Sequence, residues 1–169
     1  MDNQYYKAAD KVMGRLLNYF KRNYEIKNDV YIGGYCAVAL AEYHFLENKS
    51  LFGLNKIEMQ GKEANEYVLF FCMDIFPPEL TVGFDSVIDA VEKRFLNPHE
   101  HHAYTFFSIV FVVPELDKAL RKEIKKYKRR KTYRSGWSLT RVAVVETNCN
   151  QVTSNKDGTE LAKIFQKQL

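Results

Sequence analysis

The chain has no long apolar run, few cysteines, and a start without the apolar stretch of a secretion signal. Its longest uncharged apolar run, about residues 103–114, is far shorter than the ~20 residues that a membrane-spanning helix needs. The three cysteines are odd in number and show no CxxC spacing, which argues against a disulfide framework and a thiolate zinc site. We therefore expect neither secretion nor membrane insertion, and a location in the reducing cytoplasm.

Common enzyme motifs are also absent. No P-loop, GxGxxG, HExxH or GxSxG pattern occurs, so the nucleotide-cofactor and common hydrolase classes lose their usual support, and we expect no cofactor. Aromatic residues are abundant instead, with 11 Tyr, 12 Phe and one Trp, and the hydrophobic fraction of 46% excludes a disordered chain. The 169 residues show no internal repeat or linker, which predicts one globular domain over residues 1–169.

The positive charge is concentrated in residues 121–141, hereafter the basic segment. It holds ten of the 25 Lys and Arg residues but only one of the 21 acidic residues, Glu123. The rest of the chain therefore has 15 basic and 20 acidic residues. A local field of this strength attracts phosphates or an acidic protein surface, but it supplies no reaction chemistry.

The spacing of apolar residues predicts about four helices and six strands. Apolar residues recur every three or four positions in the predicted helices, which are residues 3–23, 84–95, 114–126 and 159–168. They alternate or run continuously in five predicted strands, which are residues 35–47, 51–59, 66–76, 103–113 and 137–146. A sixth, basic strand is predicted at residues 128–134. The alanines of residues 35–47 also allow a helix there.

The order of these elements predicts an α+β fold. Residues 103–113 are almost wholly apolar, which indicates a strand covered on both faces at the centre of the sheet. The order α-β-β-β-α-β-α-β-β-α contains both strand–helix–strand crossovers and hairpin-like strand pairs. We therefore predict a single mixed, largely antiparallel β-sheet of about six strands, covered by about four α-helices.

Three short motifs resemble those of a known group of proteins. They are EY at residues 66–67, HAYT at residues 102–105 and KTYRSGW at residues 131–137. In this order, across roughly residues 35–165, the chain resembles a group of small uncharacterised bacterial proteins, chiefly from Firmicutes. The resemblance implies a compact soluble protein of unassigned activity, and it implies no catalytic residue.

The basic segment contains the candidate anion-binding residues, which are Lys128, Arg129, Arg130, Lys131, Arg134 and Arg141. Three aromatic residues could offer flat faces to nucleic-acid bases, namely Tyr127, Tyr133 and Trp137. In a strand, alternate cations point to opposite sides, so one flat surface uses only half of them. The charges also fit a structural role, because cations complement a helix C-terminus and Lys-rich edge strands prevent aggregation between sheets.

Histidines and acids provide the weaker candidate sites. His99, His101 and His102 with Glu100 offer three nitrogen ligands within four residues, but no cysteine or distant histidine completes a zinc site, so we expect no metal. An enzyme would use His102, Glu66, Asp74 and Arg134 for hydrolysis or phosphoryl chemistry, provided that they converge in a crevice around His102.

Three functions remain open from the sequence. The leading prediction is a non-enzymatic binding module whose basic segment contacts a polyanion such as nucleic acid, or an acidic protein, without a membrane partner. The first alternative is a small hydrolase or nuclease with a crevice at His102. The second is a structural or self-associating module in which the basic strand only protects a sheet edge. The ligand and the oligomeric state are open in all three.

Overall fold

The computed structural model describes residues 3–47, 61–77, 80 and 82–169. Its main helices are α1 Asn3–Phe20, α2 Asp85–Phe95, α3 Lys118–Lys126 and α4 Thr159–Gln166. Its strands are β1 Glu25–Ile32, β2 Tyr35–Glu47, β3 Lys62–Cys72, β4 His102–Val113, β5 Arg130–Thr132, β6 Trp137–Glu146 and β7 Gln151–Ser154. A short 3-10 helix, Lys156–Gly158, leads into α4.

The strands form one mixed sheet in the order β1-β2-β3-β4-β6-β5, and β7 also pairs with β6. The three strands β3, β4 and β6 are parallel to one another, and every other pair is antiparallel. The parallel pairs arise because helices occupy the connections between these strands. The predicted fold class and element order are confirmed. Among the described residues, no helix combines the length and the apolar character that crossing a membrane requires.

Helices cover both faces of the sheet. On the face that we name the α2–α3 face, apolar residues of α2 and α3 pack on a group that includes Leu69, Phe107 and Phe111. On the opposite α1–α4 face, residues of α1 and α4 pack on a group that includes Phe70 and Val110. The helices can do this because each has an apolar stripe at a spacing of three or four residues. In α1 that stripe consists of Tyr5, Ala9, Val12, Met13, Leu16 and Phe20.

The strand β4 lies at the centre of the sheet between β3 and β6, as the sequence predicts. All seven side chains of residues 107–113 are buried, because they alternate between two helix-covered faces. The first part of β4 differs, since Tyr104 and Phe106 are partly exposed. The helical cover of the α1–α4 face is therefore incomplete over the amino-terminal part of this strand.

The outer edge of β6 is shared by two short strands, β5 at residues 137–139 and β7 at residues 143–146. The buried side chain of Asn155 fills the gap between them. Its four hydrogen bonds, of 2.9 to 3.3 Å, go to the carbonyl oxygens of Tyr127 and Thr140 and the backbone N–H groups of Val142 and Gly158. These bonds use the two donors and two acceptor sites of one amide group.

Two strands of the sheet were not predicted. The edge strand β1 has only one buried residue, Ile32, so its sequence has little of the apolar alternation that marks a strand. The four-residue β7 lies in residues that we expected to form a polar loop. Residues 35–47, which allowed a strand or a helix, form β2. The predicted strand at residues 51–59 lies outside the described residues.

Candidate functional site

The basic strand β5 sends its cations to opposite faces of the sheet. Arg129, just before β5, and Lys131 both donate to the same oxygen of Glu92 on α2, at 2.7 and 2.5 Å. Arg130 instead lies over the ring of Trp137, with its guanidinium carbon 4.6 Å from the ring centroid. This alternation is the one that a strand predicts, although β5 is shorter than the predicted residues 128–134.

Arg129 is neutralised by acids of α2. Besides Glu92, its guanidinium group donates to Asp85 at 2.9 Å and to Asp89. The hydrogen bonds that Arg129 donates to Glu92 and Asp89 raise the pKa of Arg129 above its ordinary value, although burial acts in the opposite direction. These contacts occupy Arg129 and leave it unsuited to a phosphate.

Tyr127 packs on the same side as Arg129. Its hydroxyl donates to Asp85 at 2.8 Å, and its ring contacts the edge of Phe84. Burial and the bond to Asp85 raise the pKa of Tyr127 above its ordinary value. The ring of Tyr127 is therefore part of the packing on the α2–α3 face and does not offer a flat face to a base.

Only four of the ten cations of the basic segment are paired with carboxylates in the part of the chain that the structure describes. Besides Arg129 and Lys131, these are Arg121 with Glu146 and Arg141 with Glu66. The other six are exposed and have no ion pair to a described residue: Lys122, Lys125, Lys126, Lys128, Arg130 and Arg134. The anion-attracting part of the basic segment thus consists of these six residues.

Three aromatic rings form a partly exposed cluster on the α1–α4 face, which we name the aromatic patch. The rings of Tyr104 and Trp137 are stacked with centroids 5.3 Å apart, and the ring of Phe106 lies 5.1 and 5.4 Å from them. The three share a face because Tyr104 pairs with Trp137 across two strands and Phe106 follows Tyr104 by two residues. Of the predicted aromatic platform, only Trp137 belongs to this patch.

Two arginines lie over rings of the aromatic patch. The guanidinium carbon of Arg141 is 3.7 Å from the ring centroid of Phe106, and that of Arg130 is 4.6 Å from that of Trp137. The negative face of an aromatic ring attracts a cation in this position. Nucleic-acid bases stack on guanidinium planes as well as on aromatic rings, so both kinds of group are suited to contact a base.

Glu66 lies beside the aromatic patch and holds Arg141 in place. Arg141 donates to one carboxylate oxygen of Glu66 at 2.8 Å, and the hydroxyl of Tyr24 donates to the other oxygen at 2.8 Å. Glu66 and Arg141 are each 22% exposed, so the pair is accessible from solvent. Burial and the neighbouring Glu66 raise the pKa of Tyr24, which keeps its hydroxyl protonated as a donor.

A family model described as Domain of unknown function (DUF8052) matches residues 8–167, which is nearly the whole chain. The chain belongs to this family. The match includes the aromatic patch and the whole basic segment. No curated protein and no solved structure shows significant similarity to the chain. Membership of the DUF8052 family agrees with the resemblance to uncharacterised proteins, and it specifies no activity.

In this DUF8052 member, His102 has structural contacts. Its side chain is 1% exposed, and its two ring nitrogens lie 2.9 Å from the hydroxyl of Thr105 and 3.1 Å from the carbonyl oxygen of Ser135. The turn before β6 packs against it at Gly136, which has a φ of 76°. A Cβ at Gly136 would lie 2.6 Å from the carbonyl oxygen of His102, so only glycine fits.

The four residues proposed for an enzyme do not converge. His102 lies at the amino end of β4, whereas the exposed Asp74 follows the carboxyl end of the parallel strand β3. Glu66 points to the α1–α4 face, where it binds Arg141, and Arg134 lies exposed in the turn between β5 and β6. The described contacts therefore do not bring these four side chains together at His102.

The remaining candidate side chains lie away from the aromatic patch. His99 is 2.9 Å from Glu63, and His101 is 3.3 Å from Glu100. No group of three or more His, Cys, Asp or Glu residues within the described ranges has a geometry that could hold a metal ion. The hydroxyl of Tyr133 is 3.1 Å from that of Ser138, and its ring lies near His102 instead of the patch.

Two residues of the patch, Tyr104 and Phe106, were missed from the sequence. They lie in the run at residues 103–113, whose apolar character predicts cover on both faces. The signal was present in its first third, where the hydroxyl-bearing Tyr104 and Thr105 precede the wholly apolar residues 109–113. Amphipathic and aromatic residues at the start of a central strand indicate that the helical cover ends there.

Proposed function

We propose that this DUF8052 protein is a non-enzymatic module that binds single-stranded nucleic acid. Bases stack on the aromatic patch, and the unpaired cations of the basic segment contact the phosphates. The observation that carries the proposal is the position of Arg130 over Trp137 and of Arg141 over Phe106 on a partly exposed sheet face. Each stacked base contributes about 1–3 kcal/mol in proteins of this kind.

Charge complementarity supports a polyanion as the partner. Six exposed cations between Lys122 and Arg134 have no carboxylate partner among the described residues. Arg130 belongs to this set and also lies over Trp137, so the charged residues and the aromatic patch meet at this position. A bound strand can therefore contact cations with its phosphates and rings with its bases at the same time.

The rings of the aromatic patch favour single-stranded nucleic acid over a nucleic-acid duplex and over an acidic protein. In duplex DNA or RNA the base faces are stacked inside the helix, so rings on a flat sheet cannot reach them. An acidic protein could pair with the cations but would gain little from Trp137 and Phe106. A requirement for these rings in binding therefore separates nucleic acid from an acidic partner.

The test is the affinity for a fluorescein-labelled 12-nucleotide oligouridylate, measured by fluorescence anisotropy at several salt concentrations. We expect log affinity to fall with log salt with a slope of about −0.7 per phosphate contacted. Phe106→Leu and Trp137→Leu should each weaken binding by about tenfold, because each removes a stacking surface. Both rings are partly exposed, so circular dichroism should show a folded protein.

The matched control is Lys93→Ala, which removes one exposed cation from α2 on the other side of the sheet. It should leave affinity nearly unchanged. Polyglutamate of similar charge should bind more weakly than the oligonucleotide and without dependence on Trp137. Equal affinity for polyglutamate would favour an acidic partner, and no binding at low salt would refute the proposal.

We also propose that the protein is bacterial and located in the cytoplasm, as its resemblance to Firmicutes proteins implies. The cysteines support this compartment, because Cys36 and Cys149 are exposed free thiols that an oxidising environment would modify. Fractionation of cells that express the tagged chain tests the location. Recovery in the membrane or secreted fraction would contradict it.

A further inference from the structure

Glu66 is an acid beside the aromatic patch, where it is paired with Arg141. Its position is fixed by two donors, the hydroxyl of Tyr24 and the guanidinium group of Arg141, one on each carboxylate oxygen. An ionised carboxylate has about four acceptor sites. The described donors use two of them, so each oxygen retains one acceptor site, and the side chain is 22% exposed.

We infer that Glu66 recognises guanine at one position of the bound strand. This inference rests on the proposed binding of single-stranded nucleic acid. The remaining acceptor sites lie on the two adjacent oxygens of one carboxylate. They match a ligand with two neighbouring hydrogen-bond donors, and they repel phosphate and any acceptor atom.

Among the bases, only guanine has two such donors side by side, N1–H and the N2 amino group. Adenine and cytosine each offer one amino group next to a ring nitrogen that is an acceptor. Uracil has one N3–H between two carbonyl oxygens, which the carboxylate repels. A carboxylate can accept two hydrogen bonds from guanine but at most one from each of the other bases. The site therefore distinguishes guanine by its pattern of hydrogen-bond donors.

Arg141 and Tyr24 are positioning residues in this arrangement. Arg141 is held between the ring of Phe106 and the carboxylate of Glu66, and Tyr24 contacts the ring of Tyr43 at 5.4 Å between centroids. These contacts fix the carboxylate before a ligand arrives, which reduces the entropy that binding must overcome. The base that Glu66 reads lies next to the stacking surface of the aromatic patch.

The experiment compares 12-nucleotide oligouridylates that carry a single G, A, C or inosine at the same central position. With the full chain we expect the G oligonucleotide to bind about tenfold more tightly than the A and C versions, since a good bidentate contact discriminates by this order. Inosine lacks the N2 amino group and should lose most of the preference. Glu66→Gln should reduce the preference for G to less than about twofold while salt-dependent binding remains.

Tyr24→Phe tests the positioning role with a smaller change. It retains the carboxylate but removes one bond that orients it, so the preference for G should fall only partly. Melting temperature and circular dichroism of each variant establish that it is folded. A preference for G that persists in folded Glu66→Gln would overturn the inference.

Failure of the inference and failure of the proposed function give different results. Equal, salt-dependent affinity for all four oligonucleotides would overturn guanine recognition and leave single-strand binding intact. A preference for A or C over G would also overturn it. Absence of binding to every oligonucleotide at low salt would refute both.

Discussion

The α2–α3 face and the α1–α4 face of the sheet use neighbouring cations of one segment in opposite ways. On the α2–α3 face, Arg129 and Lys131 share the buried carboxylate of Glu92. On the α1–α4 face, Arg130 lies on Trp137 without an ion pair to a described residue. A run of like charges in a sequence is therefore not one surface, because the strand divides it between a structural role and an exposed one.

The difference arises from α2. Its acids Asp85, Asp89 and Glu92 follow one another at i, i+4 and i+7, which places them on one side of the helix. That side faces the start of β5, where Arg129 contacts all three. No corresponding acidic stripe contacts Arg130 within the described ranges, so the sheet face without helical cover retains its positive charge.

The largest expected difference in stability between the two faces concerns two adjacent phenylalanines of β4. Phe107 is fully buried on the α2–α3 face, whereas Phe106 is partly exposed on the α1–α4 face. Phe107→Ala should lower the free energy of unfolding by about 3–5 kcal/mol, and Phe106→Ala by much less. Urea unfolding of both variants measures this. Similar losses would mean that the two faces are equally covered.

A slightly smaller effect is expected at Glu92. Glu92→Gln removes the charge that Arg129 and Lys131 share, and it should lower the free energy of unfolding by about 3 kcal/mol, because a mostly buried cation loses its main partner. Glu160→Gln on α4 is the control, since its carboxylate is 82% exposed and pairs with the exposed Lys163. A loss at Glu92 no larger than at Glu160 would contradict the structural role of this cluster.

The same variant has a predicted pH dependence. Burial raises the pKa of Glu92, but the hydrogen bonds that Arg129 and Lys131 donate lower it by a larger amount. The pKa in the folded protein therefore lies below its ordinary value of 4.5. A carboxyl group of this kind stabilises the fold above the unfolded pKa and loses that contribution as pH falls through the folded pKa. Below about pH 4.5, stability should therefore fall less steeply in Glu92→Gln than in the unchanged protein. Parallel pH profiles would show that Glu92 is not responsible.

Neighbouring cations of β5 allow the two faces to be compared by their effect on oligonucleotide binding alone. Arg130→Gln should weaken oligonucleotide binding several-fold and reduce the salt slope by about 0.7, because it removes one phosphate contact. Lys131→Gln removes the same charge one residue away, but on the α2–α3 face, and should change the affinity little. Equal effects of the two substitutions would mean that only net charge matters.

The smallest expected effect is that of a chelator. Because no described group of side chains has a metal-binding geometry, EDTA should leave the melting temperature unchanged. Elemental analysis of untagged protein should give far less than one equivalent of zinc or nickel. A stoichiometric metal that survives dialysis and is lost in His102→Ala would restore a functional site on the α2–α3 side.

The sequence was sufficient to predict those elements of the fold whose apolar side chains are buried along the element. The apolar run of β4 predicts its central position, and the helical spacing in α2 predicts its packing. It was insufficient at the edges, since β1 and β7 are held by pairing with a neighbour and have few buried residues. Apolar periodicity reports burial and does not report backbone pairing.

The candidate site was predicted only in part. The cations of β5 and Trp137 stand out by charge and residue type. The partners that decide their roles are distant in the chain, since Glu92 lies 37 residues from Arg129 and Glu66 lies 75 residues from Arg141. Such contacts depend on which strands are neighbours in the sheet, and a single sequence does not contain that information.

Asn155 makes the edge of the sheet sensitive to the replacement of a single group. Its amide joins the end of α3, β6 and the end of the 3-10 helix through four bonds. Deamidation would keep the shape of the side chain but turn its two donors into an acceptor facing the carbonyl oxygens of Tyr127 and Thr140. The durability of the protein during storage at alkaline pH therefore depends on how rarely this one buried amide opens to water.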